Sequence, residues 1–410
     1  MVEESSIGFW FKGYDYFLDQ FNATKNNVLK RRLLFKKYYI LRGEEATALF
    51  YDQERFSRHK ATPKRFKKTL FGLNGVQGLD GEQHKARKQL FMHCMNVDSL
   101  NQLNTYFDEA WFEAVEDWKA KNTINYFDEM ERILFKCACK WIGLPFTKKD
   151  IVNQVPRISR MISSAGKIGI QHWRGRSARK ATENWVKSLI KNYRNKKKNS
   201  DTIFDHFIGY KNPKGKHLPD QIVAVEILNL LRPIVAVARY MTFNLKALED
   251  YPSYKEKLRE NYEEYGENFI QEVRRFYPFF PVISGRIRKN FEFKGHKFTK
   301  GQRVLLDLYA TNHYAKLWKA PERFYPERFM NAQISPFNLI PQGGGDHYKN
   351  HRCAGEWITI NLMKRNLYFL IYDINYTVKS KNLRIKKNQF PPLPANGIKI
   401  SKITKLRLME

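Results

Sequence analysis

The longest apolar-periodic run in the chain is DQIVAVEILNLLRPIVAVARYMTFNLKALED, residues 220–250. Leu228, Leu231, Val235 and Ala238 recur at helical spacing, so the run reads as a helix crossing the core of a helical domain. Two residues break its character. Pro233 removes a backbone hydrogen bond and bends the helix. Arg232 sets a guanidinium among apolar neighbours, where an unpaired charge costs on the order of several kcal/mol. Residues 80–200 carry further amphipathic helical segments such as NVDSLNQLNTYFDEAWFEAVEDWKA, and YEEYGENFIQEVRRFYP is a helix closed by proline. The first seventy residues mix a short amphipathic helix with strand-like pieces such as KKYYILRG. Short strands follow in FEFKGHKFTKG and RVLLDLYATNH, a helix from about 354, and hairpin-like segments around PPLPANGIKISKI. The pattern predicts a mainly α fold with a minor β portion, undivided by repeats or low-complexity linkers.

At 42% hydrophobic over 410 residues, the composition supports a large core and excludes a disordered chain. The first forty residues are charged throughout and hold no stretch suited to a signal peptide or membrane span. Cys94, Cys137, Cys139 and Cys353 make no disulfide framework, which points to a reduced, cytoplasmic setting. Cys137 and Cys139, two apart on a helix, point in different directions and suggest no metal site. A net charge of +32 would suit an anionic partner such as nucleic acid or a lipid surface. The lysines are scattered, however, and the only tight run is KNYRNKKKNS at 191–200. Solvated faces and a polar helix end are the simpler reading.

Candidate chemistry sits in IPQGGGDHYKNHRCAGEWITINLM, residues 340–363. Its three glycines allow close backbone approach to something flat or bulky. Cys353 falls at the start of an amphipathic helix, whose N-terminus stabilises a thiolate, and Gly355 lets that helix pack closely on a neighbour. A buried free cysteine near a helix cap would look the same. Upstream, Glu272 and Arg275 in QEVRRFYP can form an ion pair on one helical face. E-x-x-R alone is common; followed by APERFYPERF and then by a glycine-rich C-x-G loop, it is much more specific.

With TPKRFKKTLFG, GVQGLDGEQHKARK, LLRPIVAVAR, QEVRRFYPFFP and IPQGGGDHYKNHRCAGEWIT in family order over nearly the full length, the sequence resembles the cytochrome P-450 superfamily of haem-thiolate enzymes. It is most similar to the bacterial fatty-acid peroxygenase branch, which includes hydroxylases and alkene-forming decarboxylases. The resemblance implies a cytochrome P-450 fold, a single haem domain over residues 1–410, haem b, and Cys353 as the axial thiolate. Such a ligand donates electron density to iron and favours O–O cleavage. The cysteine loop is longer than in the general superfamily and lacks its usual aromatic residue, as in the peroxygenase branch. In LDGEQHKARKQLFMH, Asp80 and Gln83 make a helix cap and His84 and Lys88 stack on one face. In the family this helix meets the haem propionates. Arg58, in FSRHKATPKR, matches a position that does the same, and His347 is a lesser candidate. On the residues alone, each is as readily an exposed basic side chain.

Ordinary members of the superfamily carry an acid-alcohol pair in the long helix. Here that place is Arg232-Pro233. Arginine cannot donate a proton at ordinary pH, but it grips a carboxylate in a bidentate, charge-assisted pair. The resemblance therefore implies a long-chain fatty acid whose carboxylate sits on Arg232, with its α and β carbons close to the iron. That carboxylate would serve as base and then acid in cleaving hydrogen peroxide. No obligatory redox partner is then needed. The alternative is that Arg232 pairs with a protein acid such as Glu226. Gln77, in GVQGLDG, stands where the decarboxylase has histidine and a hydroxylase relative has glutamine. An amide cannot exchange a proton as histidine does, which leans to α/β-hydroxylation over decarboxylation to terminal alkenes. Phe71 and Phe279 match positions lining the acyl channel, or else pack in the core. A conventional monooxygenase fed by redox partners is a further alternative, against which Arg232-Pro233 argues. A non-catalytic binder of nucleic acid or a membrane surface would be colourless and strongly salt-sensitive.

Overall fold

In the computed structural model, which describes residues 3–196, 201–394 and 397–406, the long apolar run becomes two helices end to end. The helices that shape the site are α1 (Gly81–His93), α2 (Val97–Lys119), α3 (Tyr126–Ile142), α4 (Lys148–Ser163), α5 (Ile170–Lys196), α6 (Asp220–Ala236), α7 (Ala238–Asp250), α8 (Tyr262–Phe276) and α9 (Glu356–Tyr372). Their ends follow local chemistry. The Asn96 side chain accepts from the Ser99 amide at the head of α2, and Thr147 and Asp150 form a reciprocal capping box on α4. Between α6 and α7 the chain bends at Val237. Pro233 has no N–H to offer the Asn229 carbonyl one turn earlier, so the ladder weakens just ahead of the bend.

By length and composition residues 220–250 could cross a bilayer, yet 83% of the most apolar window is buried inside the fold. It is a core helix. α6 packs on α3 and α5, and α7 on α3 and α9. The main core gathers Trp111, Trp118, Leu228, Leu231 and Val235 between these helices. Cys137 and Cys139 are buried in it, the Cys137 thiol donating to the Leu103 carbonyl (3.3 Å). Among the described residues no cluster of His, Cys, Asp and Glu could hold a metal ion.

The β portion comprises β1 (Val28–Leu33), β2 (Lys36–Leu41), β3 (Phe56–Ser57), β4 (Thr123–Asn125), β5 (Val282–Ile287), β6 (Phe291–Phe293), β7 (His296–Phe298), β8 (Arg303–Asp307), β9 (Ile374–Val378) and β10 (Lys399–Lys405). Five strands form one sheet in the order β1-β2-β8-β5-β3, with β2 and β8 parallel, and β6-β7 is a separate hairpin. Three local expectations need correction. Two helices, Ser6–Lys12 and Tyr14–Thr24, precede β1 where one was expected. The strand in RVLLDLYATNH stops at Asp307, whose side chain caps a short helix by accepting from the Ala310 amide (2.8 Å). PPLPANGIKISKI forms no hairpin with itself among the described residues: β10 pairs instead with β9 and β4, Ile400 lying opposite both Val378 and Ile124. Of the polar run 191–200, α5 takes residues up to Lys196, and 197–200 lie outside the described residues.

The E-x-x-R motif is the fold's most enclosed ion pair. Arg275 meets Glu272 bidentately at 2.7 and 2.8 Å, both side chains fully buried. Arg328, from APERFYPERF, closes on the same carboxylate (3.1 Å), and the Tyr325 amide donates to it (2.8 Å). Arg275 also donates to the carbonyls of Asn312 and Pro321. The two motifs are thus one knot, tying α8 to the loop that leads into the cysteine segment. Breaking such a knot from one side costs about 3–5 kcal/mol.

Candidate functional site

Arg232 reaches inward from α6, 7% exposed, and its Nε has no hydrogen-bond partner among the described residues. Its guanidinium lies 5.9 Å from the centre of the Phe71 ring. Glu226, the acid that could have neutralised it, is committed elsewhere. It accepts from Arg87 (2.5 Å), from the Val76 amide (2.9 Å) and from the Asn229 side chain (2.9 Å). The protein-acid alternative for Arg232 therefore fails at Glu226. Burial above all, then repulsion from Arg179, pulls Arg232 down to about 9, with Cys353 acting the other way.

Of the side chains expected around this cation, Phe71 lies against its guanidinium and Gln77 meets its helix through Asn229. Phe71 ends a wide, π-helical turn, Lys67–Phe71, stopped by Gly72 at φ 84°. A Cβ on Gly72 would lie 2.4 Å from an Arg179 nitrogen, so only glycine fits. Arg179 itself, on α5, holds that turn by donating to the Leu70 carbonyl (2.6 Å) and pairs with Glu183 (2.6 Å). Gln77 sits in the turn Val76–Gly78, its Oε1 accepting from the Asn229 amide at 3.3 Å. Asn229 is three residues before Arg232 on the same helix, so the free NH2 end of Gln77 belongs to the same locality. Phe279 stacks on Tyr240 (4.4 Å) while its neighbour Phe280 meets Phe71 (6.2 Å). Arg179, Asn229, Tyr240 and Phe280 were not singled out in the sequence. Only Asn229, polar within the apolar run, left a signal there.

Cys353 precedes α9 by three residues instead of opening it, since the helix starts at Glu356. Its amide donates to the Gln342 carbonyl (3.3 Å), and the Gln342 side-chain nitrogen stands 3.7 Å from Sγ. Gln342 is held in turn by Thr359 (3.0 Å) and Arg274 (3.1 Å), and Arg274 and Arg352 both pair with Glu356. Burial first, then Glu356, pushes the thiol up, against Lys88 and the Gln342 hydrogen bond. A thiolate here therefore calls for a further positive charge, which a bound metal supplies. The glycines do less than expected. A Cβ on Gly344 would strike the Pro336 carbonyl at 2.5 Å, so the close approach is to the chain itself. One on Gly355 would meet nothing nearer than 3.9 Å, so no neighbouring segment packs tightly there.

A basic cluster flanks the cysteine. Asp80 does not cap α1 through its side chain. It is drawn to β3, accepting from Ser57 Oγ (2.5 Å) and the amides of Arg58 (2.9 Å) and His59 (3.2 Å), and it pairs with Arg288 (3.0 Å). Arg58 is buried over the Phe50 ring (4.0 Å), Nε and Nη1 without partners, and burial takes it down to about 10. His84 stacks on His351 (3.7 Å), and burial followed by Lys88 pushes it to about 4. Lys88 donates to the Arg352 carbonyl (2.5 Å) and is brought to about 8, chiefly by burial. His347 lies at the edge of the cluster, its ring on Trp357 (4.0 Å) and its nitrogens facing Ala354 and Glu356, within the field of Lys88 and Arg352. His351 and Arg352 join the cluster unforeseen, though HRC wrote them beside the cysteine. The carboxylates within reach are already claimed, Asp80 by Ser57, Arg58, His59 and Arg288, and Glu356 by Arg274 and Arg352. A group carrying two carboxylates and a thiolate-seeking iron fits these donors, and Arg58 is the orphan it would satisfy.

Residues 10–389 match the family model described as Cytochrome P450. Among solved structures, a variant of cytochrome P450SP alpha is similar with a TM-score of 0.95 and 36% identity, over 98% of this chain and 99% of that one. Cytochrome P450EX alpha, solved with myristic acid, also has a TM-score of 0.95 and 36% identity, covering 99% of each chain. A variant of cytochrome P450 OleT in complex with arachidonic acid has a TM-score of 0.96 and 29% identity over 100% of both. Among curated relatives, taxane 10-beta-hydroxylase of Taxus cuspidata is 24% identical over 380 residues, 82% of this chain and 74% of that one.

Proposed function

Since the chain belongs to the cytochrome P450 family, in its bacterial fatty-acid peroxygenase and decarboxylase branch, we propose that it hydroxylates long-chain fatty acids at the α or β carbon with hydrogen peroxide as oxidant. The balance is one C–H bond and one peroxide converted to one C–OH bond and one water. The haem that the family implies would be held in one domain by Cys353, with Arg58, His84 and Lys88 toward its propionates. It supplies peroxide cleavage and oxygen transfer, which a thiolate ligand favours.

The remaining work falls to the chain and the substrate. Arg232 binds the carboxylate through two charge-assisted hydrogen bonds, which fixes the first carbons of the acyl chain and orients them for attack. The bound carboxylate takes a proton from peroxide and returns it to the departing oxygen, a task for which α6 offers no uncommitted buried acid, Glu226 being held by Arg87. The Gln77 amide donates toward the same locality without exchanging a proton. Phe71 and Phe279 shield the acyl chain from water. The observation that carries this reading is the unpartnered, buried Arg232 with Glu226 already claimed by Arg87.

The test is incubation of the purified holoenzyme with a long-chain fatty acid and hydrogen peroxide, without reductase or NADPH, and mass spectrometry of the products. Hydroxy acids support the proposal. Alkenes one carbon shorter, with carbon dioxide and two waters, would make the protein a decarboxylase using the same grip. Neither product, in a protein with an intact thiolate-type spectrum, would reject the peroxygenase assignment and favour a partner-fed monooxygenase.

A further inference from the structure

Residues 60–79 contain five cations (Lys60, Lys64, Arg65, Lys67, Lys68) and no carboxylate. Residues 151–182 contain seven (Arg157, Arg160, Lys167, Arg174, Arg176, Arg179, Lys180) and again no carboxylate. The fold brings the two together. Arg65 donates to the Gly166 carbonyl (3.3 Å), Gly166 lies against the Phe66 ring, and the Lys67–Phe71 turn packs on α4 and α5. Among the described residues only Arg179 of the twelve forms an ion pair. Elsewhere exposed cations are commonly matched, as in Lys119–Glu116, Lys140–Glu109 and Lys289–Glu54. The charge here is therefore one-signed, which the chain-wide total does not require.

Large apolar side chains stand in the same patch. Ile170 is 71% exposed and Trp173 is 62% exposed, and Ile168 and Leu73, from the same two segments, are also exposed. The Trp173 ring lies under Arg176 at 4.5 Å. His172 feels Arg176, Arg65 and Lys68 together, which after burial hold its imidazole below the ordinary value.

We infer that this patch docks the protein on the surface of an anionic phospholipid bilayer. Aliphatic tips ringed by cations, with a tryptophan at the boundary, match a layer of acyl chains beneath anionic headgroups. Nucleic acid would engage the cations and leave Ile168 and Ile170 without a partner. The inference stands apart from the proposed reaction and is tested by binding alone. If the fatty-acid reading holds as well, the Lys67–Phe71 turn leads from the docked face to Phe71 and Arg232.

Purified holoenzyme is floated with phosphatidylcholine vesicles with and without phosphatidylglycerol, with haem content and circular dichroism as folding controls. Binding should require phosphatidylglycerol and fall with salt. Joint replacement Lys64→Gln, Lys68→Gln and Arg174→Gln should weaken it by on the order of a hundredfold, from about fivefold per cation. Ile170→Ser with Trp173→Ser, which leaves every charge in place, should weaken it about tenfold or more, given the worth of burying large apolar side chains. Failure to float with either vesicle would overturn the inference. So would binding that both variants leave intact. Binding to duplex DNA or an acidic polypeptide as tight as to vesicles, and indifferent to the Ile170/Trp173 pair, would make the patch a polyanion site instead.

Discussion

Replacing Arg232 by alanine separates two roles of a buried guanidinium, because each predicts a different balance of stability and binding. In the chain alone the side chain sits at about 9, well below its ordinary value, with burial as the first cause. That fall corresponds to roughly 5 kcal/mol set against the charged form. Alanine removes the unfavourable charge and also removes packing worth about 2–5 kcal/mol for a large buried side chain. The two nearly cancel, so the fatty-acid-free holoenzyme should unfold close to the wild-type temperature and keep its haem. Binding should not be spared. Truncating one partner of a buried, hydrogen-bonded charge pair costs about 2–5 kcal/mol, or about thirtyfold to several thousandfold in affinity.

The assay is a spectral titration with a long-chain acid and with the alcohol of equal length, followed by thermal unfolding with each ligand. Wild type should prefer the acid by that factor and gain stability from it by mass action. The alanine variant should lose both the preference and the gain. A variant that unfolds several kcal/mol earlier, yet still prefers acid to alcohol, would refute the reasoning: the guanidinium would then hold the fold, and the head group would bind elsewhere.

Gln77→His places a proton-exchanging ring beside the same head group and should shift products toward the shorter alkene; an unchanged ratio by gas chromatography removes Gln77 from control of the outcome. Glu272→Gln strips the charge shared by Arg275 and Arg328 and should lower stability by about 3–5 kcal/mol, read as a lower urea midpoint at unchanged slope. Lys88 sits at about 8 in the chain alone, and a propionate beside it would draw it back toward its ordinary range. Haem uptake then binds a proton, so apoprotein affinity should be flat below about 8 and fall up to about tenfold per pH unit above it. Lys88→Met should weaken uptake at neutral pH and abolish that slope, whereas a slope that survives would exonerate Lys88.

Local pattern carried the fold where neighbours in sequence are also neighbours in space. The break expected at Pro233 falls at Val237, after α6 has run through the proline, but the apolar period of 220–250 and the helix ending in QEVRRFYP were legible for that reason. So was the oddity of Arg232, because a charge inside an apolar period is visible without knowing its surroundings. Its lack of a partner was not, since that depended on Glu226 choosing Arg87, 139 residues away. Asp80 shows the converse. Its position promised a helix cap, but Ser57 at the end of β3 and the Arg58 and His59 amides just after it offered three donors and won the carboxylate. β10 likewise found its partners in β9 and β4 and left the nearby turn residues unpaired with it.

The basic patch shows how far a bulk number can mislead. Searching for runs of like charge singled out 191–200, because a run is what sequence order displays. Electrostatic potential depends on what is missing as much as on what is present. Residues 60–79 and 151–182 space their cations among apolar and polar residues, so neither displays a run, although 151–182 goes 32 residues without an acid. Folded against each other they leave twelve cations facing a single ion pair, while the rest of a chain of +32 pairs many of its lysines and arginines. The excess charge is therefore concentrated in space although no tight run marks it in sequence, and the side chains that make the region apolar at its tip lie in that same pair of segments.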